Sequence, residues 1–175
     1  MIEILAQSEA TPVAYPDPPP GLSIAATALD SAAVWARLES WCAHRWTPRA
    51  VVWTFQGCIG DEFRPPLTPL VSHSVERWWD ATWTAVDLVP GPLGFCLPSD
   101  GTFRVTGQAG AGPVPAPVLE AFRRLAEYSA QIGQGGEGFT AAEDGEVSFE
   151  RGATWAARAL VNSGAADLLR PYRRA

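Results

Sequence analysis

Residues 103–128 read FRVTGQAGAGPVPAPVLEAFRRLAEY, and this stretch decides the fold prediction. In order, these residues predict a strand, a glycine-rich turn, a Val-Pro segment that leads into a helix, and the amphipathic helix itself. Valines, prolines and glycines at these spacings rarely take part in chemistry. The stretch therefore indicates a structural part and not the centre of an enzyme.

Three helices are predicted. The one over residues 115–132 has Val118, Phe122 and Leu125 on one face. A helix over 23–46 precedes it, with an apolar face and a stop at Thr47-Pro48, although the small residues of its front half also allow a separate short helix. A helix over 148–163 follows it.

The region between the first two helices has a β pattern. Around Trp53, apolar residues alternate with polar ones, and turn residues separate several short strand candidates across residues 50–107. Because the strands follow one another so closely, we expect antiparallel pairing. The predicted fold class is α+β, mainly an α-helical bundle with a small inserted antiparallel β region.

The chain divides into three predicted parts. Residues 1–22 contain five prolines and predict an extended or polyproline arm. Residues 23–165 form the main domain, and residues 166–175 form a C-terminal tail. Because the main helices end near Gly164, we expect that removing residues 168–175 leaves the fold intact.

Composition limits the classes of function. The chain has 175 residues and a net charge of −6, and all 13 of its basic residues are arginines. An acidic total does not favour binding of nucleic acid as the main activity, because affinity for a duplex depends on neutralising phosphates. No apolar run approaches the roughly 20 residues of a membrane span, and the first residues lack the pattern of a signal peptide. We therefore expect a protein that is cytoplasmic when made.

Catalytic and metal-binding patterns are missing from the sequence. The three cysteines are widely spaced, and only Cys42 and His44 form a close Cys/His pair, so free thiols are favoured over a zinc site. Neither a nucleophile elbow nor a phosphate-binding loop is present. We predict no catalytic residues, no cofactor-binding residues and no metal site.

Tryptophans are concentrated in the first half, where seven of the eight occur before residue 84. Most of them are expected in the core. Trp78 and Trp79 are adjacent on a predicted strand and should therefore point to opposite faces. One of the two is then expected on a less buried face or against a neighbouring subunit.

Four segments, in order, resemble the head–tail connector (adaptor) proteins of long-tailed phages and phage-derived gene transfer agents. They are the helix end and strand over 41–56, the turn Arg64-Pro65-Pro66-Leu67, the strand, turn and helix over 105–125, and the ending LLRPYR over 168–173. The resemblance covers about residues 25–175.

The resemblance implies a structural protein that forms a dodecameric ring between the portal protein and the tail's stopper or terminator protein. DNA would pass through the ring without specific binding, and the protein would become part of the assembled particle. In similar proteins the C-terminal segment reaches the portal, which assigns portal docking to five residues here. These are Leu168, Leu169, Arg170, Tyr172 and Arg173. We expect the isolated chain to be monomeric or weakly associated.

Two other functions remain open at this point. The first is a carbohydrate- or cell-surface-binding module that uses Trp78, Trp79 and Trp83, and burial of these rings would remove it. The second is a small enzyme, which a pocket holding His44 or His73 beside a carboxylate would favour.

Overall fold

A computed structural model describes residues 1–136, 142–144, 147–149 and 158–173. The chain divides into two compact units, each built from two separate stretches of sequence. Met1–Ala14 and Ala43–Gly112 form a sheet unit, and Tyr15–Cys42 and Pro113–Ala175 form a helical unit.

The sheet unit is built on a five-stranded antiparallel sheet with the order β1-β2-β8-β4-β5. Its strands are β1 (Glu3–Glu9), β2 (Arg49–Gly57), β4 (Leu70–Trp79), β5 (Thr82–Ala85) and β8 (Gly101–Ala109). A smaller antiparallel sheet consists of β3 (Glu62–Phe63), β7 (Phe95–Cys96) and β6 (Val89–Pro90). The expected antiparallel pairing is confirmed.

Aromatic side chains fill the core of the sheet unit. Trp53, Phe55 and Phe103 alternate with polar residues along β2 and β8, and all three are fully buried. Phe63 stacks on Phe55 with ring centroids 4.0 Å apart and an interplanar angle of 1°. The period of two therefore gives β2 and β8 one apolar face, which is packed, and one mostly polar face.

The helical unit packs two longer helices with several short ones. Its helices are α1 (Ile24–Thr27), α2 (Ser31–Cys42), α3 (Ala116–Gly136), α4 (Ala159–Asn162) and α5 (Ala165–Leu169). A 3₁₀ turn follows at Arg170–Tyr172, and β9 (Ala142–Asp144) pairs with β10 (Val147–Phe149). Trp35 of α2 and Phe122 of α3 are buried against each other, with ring centroids 4.8 Å apart.

The prediction of a mainly helical bundle is wrong. Among the described residues, strands account for 32% and helices for 31%. Two local features explain the error. Glu3–Glu9, which was predicted to belong to an extended arm over 1–22, is an edge strand of the sheet. The β region also runs beyond 50–107, because β2 begins at Arg49 and β8 continues to Ala109.

The helix expected over 23–46 is two helices. Asp30 separates them, because its carboxylate accepts the backbone N–H of Ala32 at 3.0 Å and so caps a new helix. α2 ends at Cys42, where Ala43 adopts a positive φ of 52°. The small residues at the front of the predicted helix form α1 instead of extending α2.

Two further boundaries differ from the sequence prediction. In the region predicted as a helix over 148–163, residues 148–149 lie in β10, Ala159–Asn162 is helical, and 150–157 lie outside the described residues. The predicted tail over 166–175 is not separate from the domain, since residues 166–169 belong to α5. Its fully buried Leu169 is the physical reason.

Candidate interaction surfaces

The five residues predicted to dock on the portal do not all lie on one surface. Leu169 is fully buried in the helical unit and Leu168 is half-buried, so Leu169 is a core residue. Arg170 and Arg173 are exposed, and Tyr172 is half-buried. Leu169 is therefore not placed to meet a partner without disrupting the helical unit, whereas the other four residues are at least partly exposed.

A cation–π contact holds this segment against α2. The guanidinium carbon of Arg173 lies 4.9 Å from the ring centroid of Trp41, which is half-buried. Tyr172 is the last residue of the 3₁₀ turn and directly precedes Arg173. We call Trp41, Arg170, Tyr172 and Arg173 the C-terminal surface. Arginine and aromatic residues are enriched at the centres of protein interfaces.

A second surface lies at the end of the β4–β5 hairpin. Asp80 and Ala81 form its two-residue turn, with positive φ values of 47° and 58°. Trp78 pairs with Trp83 across the hairpin, and their ring centroids are 5.1 Å apart at 59°. Two-residue turns of this kind match the twist of the paired strands, so the turn suits this hairpin.

Arginine side chains pack on the indole rings of Trp83 and Trp79. Arg104 lies 4.4 Å from the centroid of Trp83 and donates hydrogen bonds of 2.9 and 2.6 Å to the carboxylate of Glu76. Arg77 lies 4.7 Å from the centroid of Trp79 and donates to the carbonyl of Asp100 at 2.8 Å. The rings are thus held in defined positions on the protein surface.

Exposure differs among the three tryptophans. Trp79 is 63% exposed and Trp78 is 44% exposed, whereas Trp83 is half-buried. The two adjacent residues Trp78 and Trp79 follow the alternation of the strand and lie on opposite faces of the hairpin. We call Arg77, Trp78, Trp79, Asp80 and Trp83, which together cover both faces of the hairpin end, the hairpin surface. Burial of these rings, which would have removed the carbohydrate-binding alternative, is not observed.

The helical unit carries an open groove of about 380 Å³. Its walls are mostly apolar and come from the turn before α2, from α2 and from α3. It is lined by Leu29, Asp30, Ala33, Val34, Arg37, Leu125 and Ser129. Asp30 and Ala33 are exposed at its rim, and Leu125 forms its buried floor.

A polar cluster fixes the edge strand β1 in the sheet unit. Glu9 accepts hydrogen bonds from Arg45 at 2.5 and 2.9 Å and from Arg49 at 3.0 Å. Both arginines are buried. The hydrogen bonds from Arg45, with the charges of both guanidinium groups, lower the pKa of Glu9. This cluster therefore has a structural role.

The acidic residues at 61–62 also have structural partners. Asp61 accepts a hydrogen bond from the backbone N–H of Cys58 at 2.9 Å and pairs with the N-terminal ammonium at 2.6 Å. Glu62 accepts hydrogen bonds from the N–H groups of Leu93 and Gly94 at 2.5 and 2.6 Å. Within the part of the chain that the structure describes, no group of three or more His, Cys, Asp or Glu side chains is arranged to hold a metal ion.

The two histidines contact aromatic rings. His73 is exposed and lies 4.4 Å from Phe95, between ring centroids. His44 lies 4.8 Å from Trp46, and burial lowers the pKa of His44. Among the cysteines, Cys42 is buried, Cys96 is half-buried and Cys58 is exposed, each as a free thiol.

No helix among the described residues has the length and apolarity required to cross a bilayer.

Sequence reasoning found the tryptophans of the hairpin surface but missed the charged residues that position them. The pairing of Trp78 with Trp83 follows from a two-residue turn, and the sequence contained that information. Glu76 and Arg104 meet only because β8 pairs with β4 in one register. No local pattern specifies that register between distant segments.

Comparison with protein-family models, with curated proteins and with solved structures finds no match to this chain.

Proposed function

We propose that this chain is a structural head–tail connector that forms a ring between the portal and the tail of a phage or gene transfer agent particle. The observation that carries the proposal is the C-terminal surface. The segment LLRPYR, which resembles the ending of connector proteins, exposes Arg170 and Arg173, and Arg173 lies over the ring of Trp41. This composition suits a contact with another protein.

Packing of the C-terminal segment supports a docking role. Leu169 is buried in the helical unit, and Arg173 is stacked on Trp41. The exposed side chains are therefore presented from an ordered support, which reduces the entropy that is lost on binding. In this proposal Leu168 and Leu169 hold the segment in place, while Arg170, Tyr172 and Arg173 contact the portal.

Charge supports a channel that does not retain DNA. The net charge of the chain is −6. A ring of such subunits carries a large negative charge and has little tendency to bind phosphates. From the resemblance to connector proteins, the proposed partners are other copies of this chain, the portal protein and the stopper or terminator protein of the tail, with DNA passing through.

The proposal is tested by sedimentation with tailless, DNA-filled heads that carry the portal. The purified chain should sediment with these heads up to one dodecameric ring per head, and heads without the portal provide the control. Equal sedimentation with both kinds of head, or no sedimentation with either, contradicts the proposal. Electron microscopy of the bound heads should reveal added density at the portal vertex.

A carbohydrate- or cell-surface-binding module is a second candidate, favoured by the exposure of Trp79 and Trp78. Indole rings in this position stack on the apolar faces of sugars. A glycan array tests this candidate. Binding that is lost in Trp79→Ala, while the sedimentation with heads is absent in the wild type, would favour it over the connector.

A further inference from the structure

The hairpin surface and the groove of the helical unit have complementary features. Trp79 is the most exposed of the described tryptophans and lies at the end of the β4–β5 hairpin. The groove is mostly apolar, open, and about 380 Å³ in volume. This volume lies at the lower end of the roughly 300–1,000 Å³ range of ligand cavities and suits one aromatic side chain.

The charges around the two surfaces also correspond. On the hairpin, Trp79 lies between Arg77, two residues before it in β4, and Asp80, which follows it in the turn. At the groove, Asp30 and Arg37 flank the apolar walls. Asp30 caps α2 and Arg37 lies two turns into this helix, so each surface has one acidic and one basic residue beside its aromatic or apolar centre.

We propose that Trp79 of one copy inserts into the groove lined by Leu29, Ala33, Val34 and Leu125 of a second copy. Arg77 then meets Asp30 of the neighbour, and Asp80 meets its Arg37. The inference rests on the proposed function, because it identifies a subunit contact within the connector ring.

The symmetry of this contact agrees with a ring. The two participating surfaces are different, so each copy offers a hairpin to one neighbour and a groove to another. Such heterologous contacts produce closed rings when the rotation between subunits closes. A single inserted ring with two exposed ion pairs gives a weak contact, in keeping with a chain that associates only weakly until it is assembled on a portal.

The test uses the full chain with p-benzoylphenylalanine, a photo-crosslinking residue, in place of Trp79. Illumination of the concentrated protein should give a covalent dimer, and mass spectrometry should map the crosslink to residues 29–37 or 125–129. The same substitution at Trp78, on the other face of the hairpin, should give at least tenfold less of this product. A crosslink from position 79 that maps elsewhere overturns the proposal.

Blocking the groove gives an independent test. Ala33→Arg fills the groove entrance from an exposed helical position, and Ala36→Arg adds the same side chain to an exposed position of α2 outside the groove. The dimer yield should fall at least tenfold with Ala33→Arg and stay unchanged with Ala36→Arg. Equal yields in the two variants overturn the proposal, and circular dichroism verifies that both fold.

Charge exchange tests the orientation of the contact. Arg77→Asp and Asp30→Arg should each lower the dimer yield several-fold, and a mixture of the two variants should restore it, because each then meets an opposite charge. No recovery in the mixture counts against this arrangement.

Failure of this contact is distinguishable from failure of the connector function. If wild-type protein sediments with portal-bearing heads in full rings and Ala33→Arg does the same, the connector function stands and this contact is wrong. If the wild type crosslinks through position 79 but never sediments with heads, the contact stands and the connector function is wrong.

Discussion

Arg173 lies over the indole ring of Trp41, with its guanidinium carbon 4.9 Å from the ring centroid. This contact joins the end of the chain to α2, and the buried Leu169 lies four residues before it. The C-terminal segment is therefore part of the helical unit up to its last described residues. This placement changes what a truncation of the segment is expected to do.

Removing residues 168–175 should destabilise the helical unit, contrary to the expectation from the sequence. The reason is Leu169, whose replacement by alanine should alone lower the free energy of unfolding by about 2–5 kcal/mol because it leaves a cavity. Urea denaturation measures this change. Arg170→Ala, at an exposed neighbouring position, should change the free energy of unfolding by less than about 0.5 kcal/mol. Equal stability of the two variants contradicts the prediction.

Tyr172→Ala should weaken sedimentation with portal-bearing heads at least tenfold. A half-buried aromatic at the centre of a contact surface usually contributes more to binding than an exposed charge at its rim. Arg158→Ala, which is exposed in the same unit but outside the C-terminal surface, is the matched control and should bind as the wild type does. If both variants bind heads equally well, Tyr172 has no part in docking.

Periodicity explains which parts of the fold were predictable. The apolar face of the helix that contains Phe122 and the alternation around Trp53 are local patterns that reveal secondary structure directly. β1 was missed because it is an edge strand with mostly exposed residues, so it has no apolar face to recognise. Its partner β2 is also distant in sequence, and the ion pairs of Glu9 with Arg45 and Arg49 form only after that pairing.

Candidate surfaces were less predictable than secondary structure. The sequence predicted a docking role for LLRPYR and an alternative binding role for three of the tryptophans, but it did not distinguish the buried Leu169 from the exposed Arg170. Helical periodicity is not readable in a segment as short as α5. The groove was also missed, because it is formed by residues of α2 and α3 that meet only in the tertiary structure.

Glu9→Gln should lower the free energy of unfolding by about 2–3 kcal/mol at neutral pH. Loss of one partner from a buried ion pair costs roughly 3–5 kcal/mol, and we reduce this value because 23% of the Glu9 side chain remains exposed. Glu3→Gln, at an exposed position of the same strand, is the control and should change the stability by less than about 0.5 kcal/mol.

The effect of Glu9 should depend on pH in a defined direction. Its pKa is lower in the folded protein than in the unfolded chain. The stabilisation is therefore complete above the unfolded value, about 4.3, and is lost as the pH falls through the folded value. The difference in stability between wild type and Glu9→Gln should shrink on acidification below about pH 4. A difference that is constant from pH 7 to pH 3 contradicts the prediction.

Ala81→Gly should stabilise the protein by about 0.5–1 kcal/mol. Ala81 occupies the second position of the hairpin turn with a φ of 58°, a left-handed conformation that is unfavourable for residues with a Cβ atom. Glycine adopts this conformation without strain, and the gain exceeds the entropy it adds to the unfolded chain. Ala85→Gly in β5, where the backbone is extended, should instead lower the stability by a similar amount. Urea denaturation of both variants measures the contrast, and a stability of Ala81→Gly at or below that of the wild type would show that the turn is not strained at this residue.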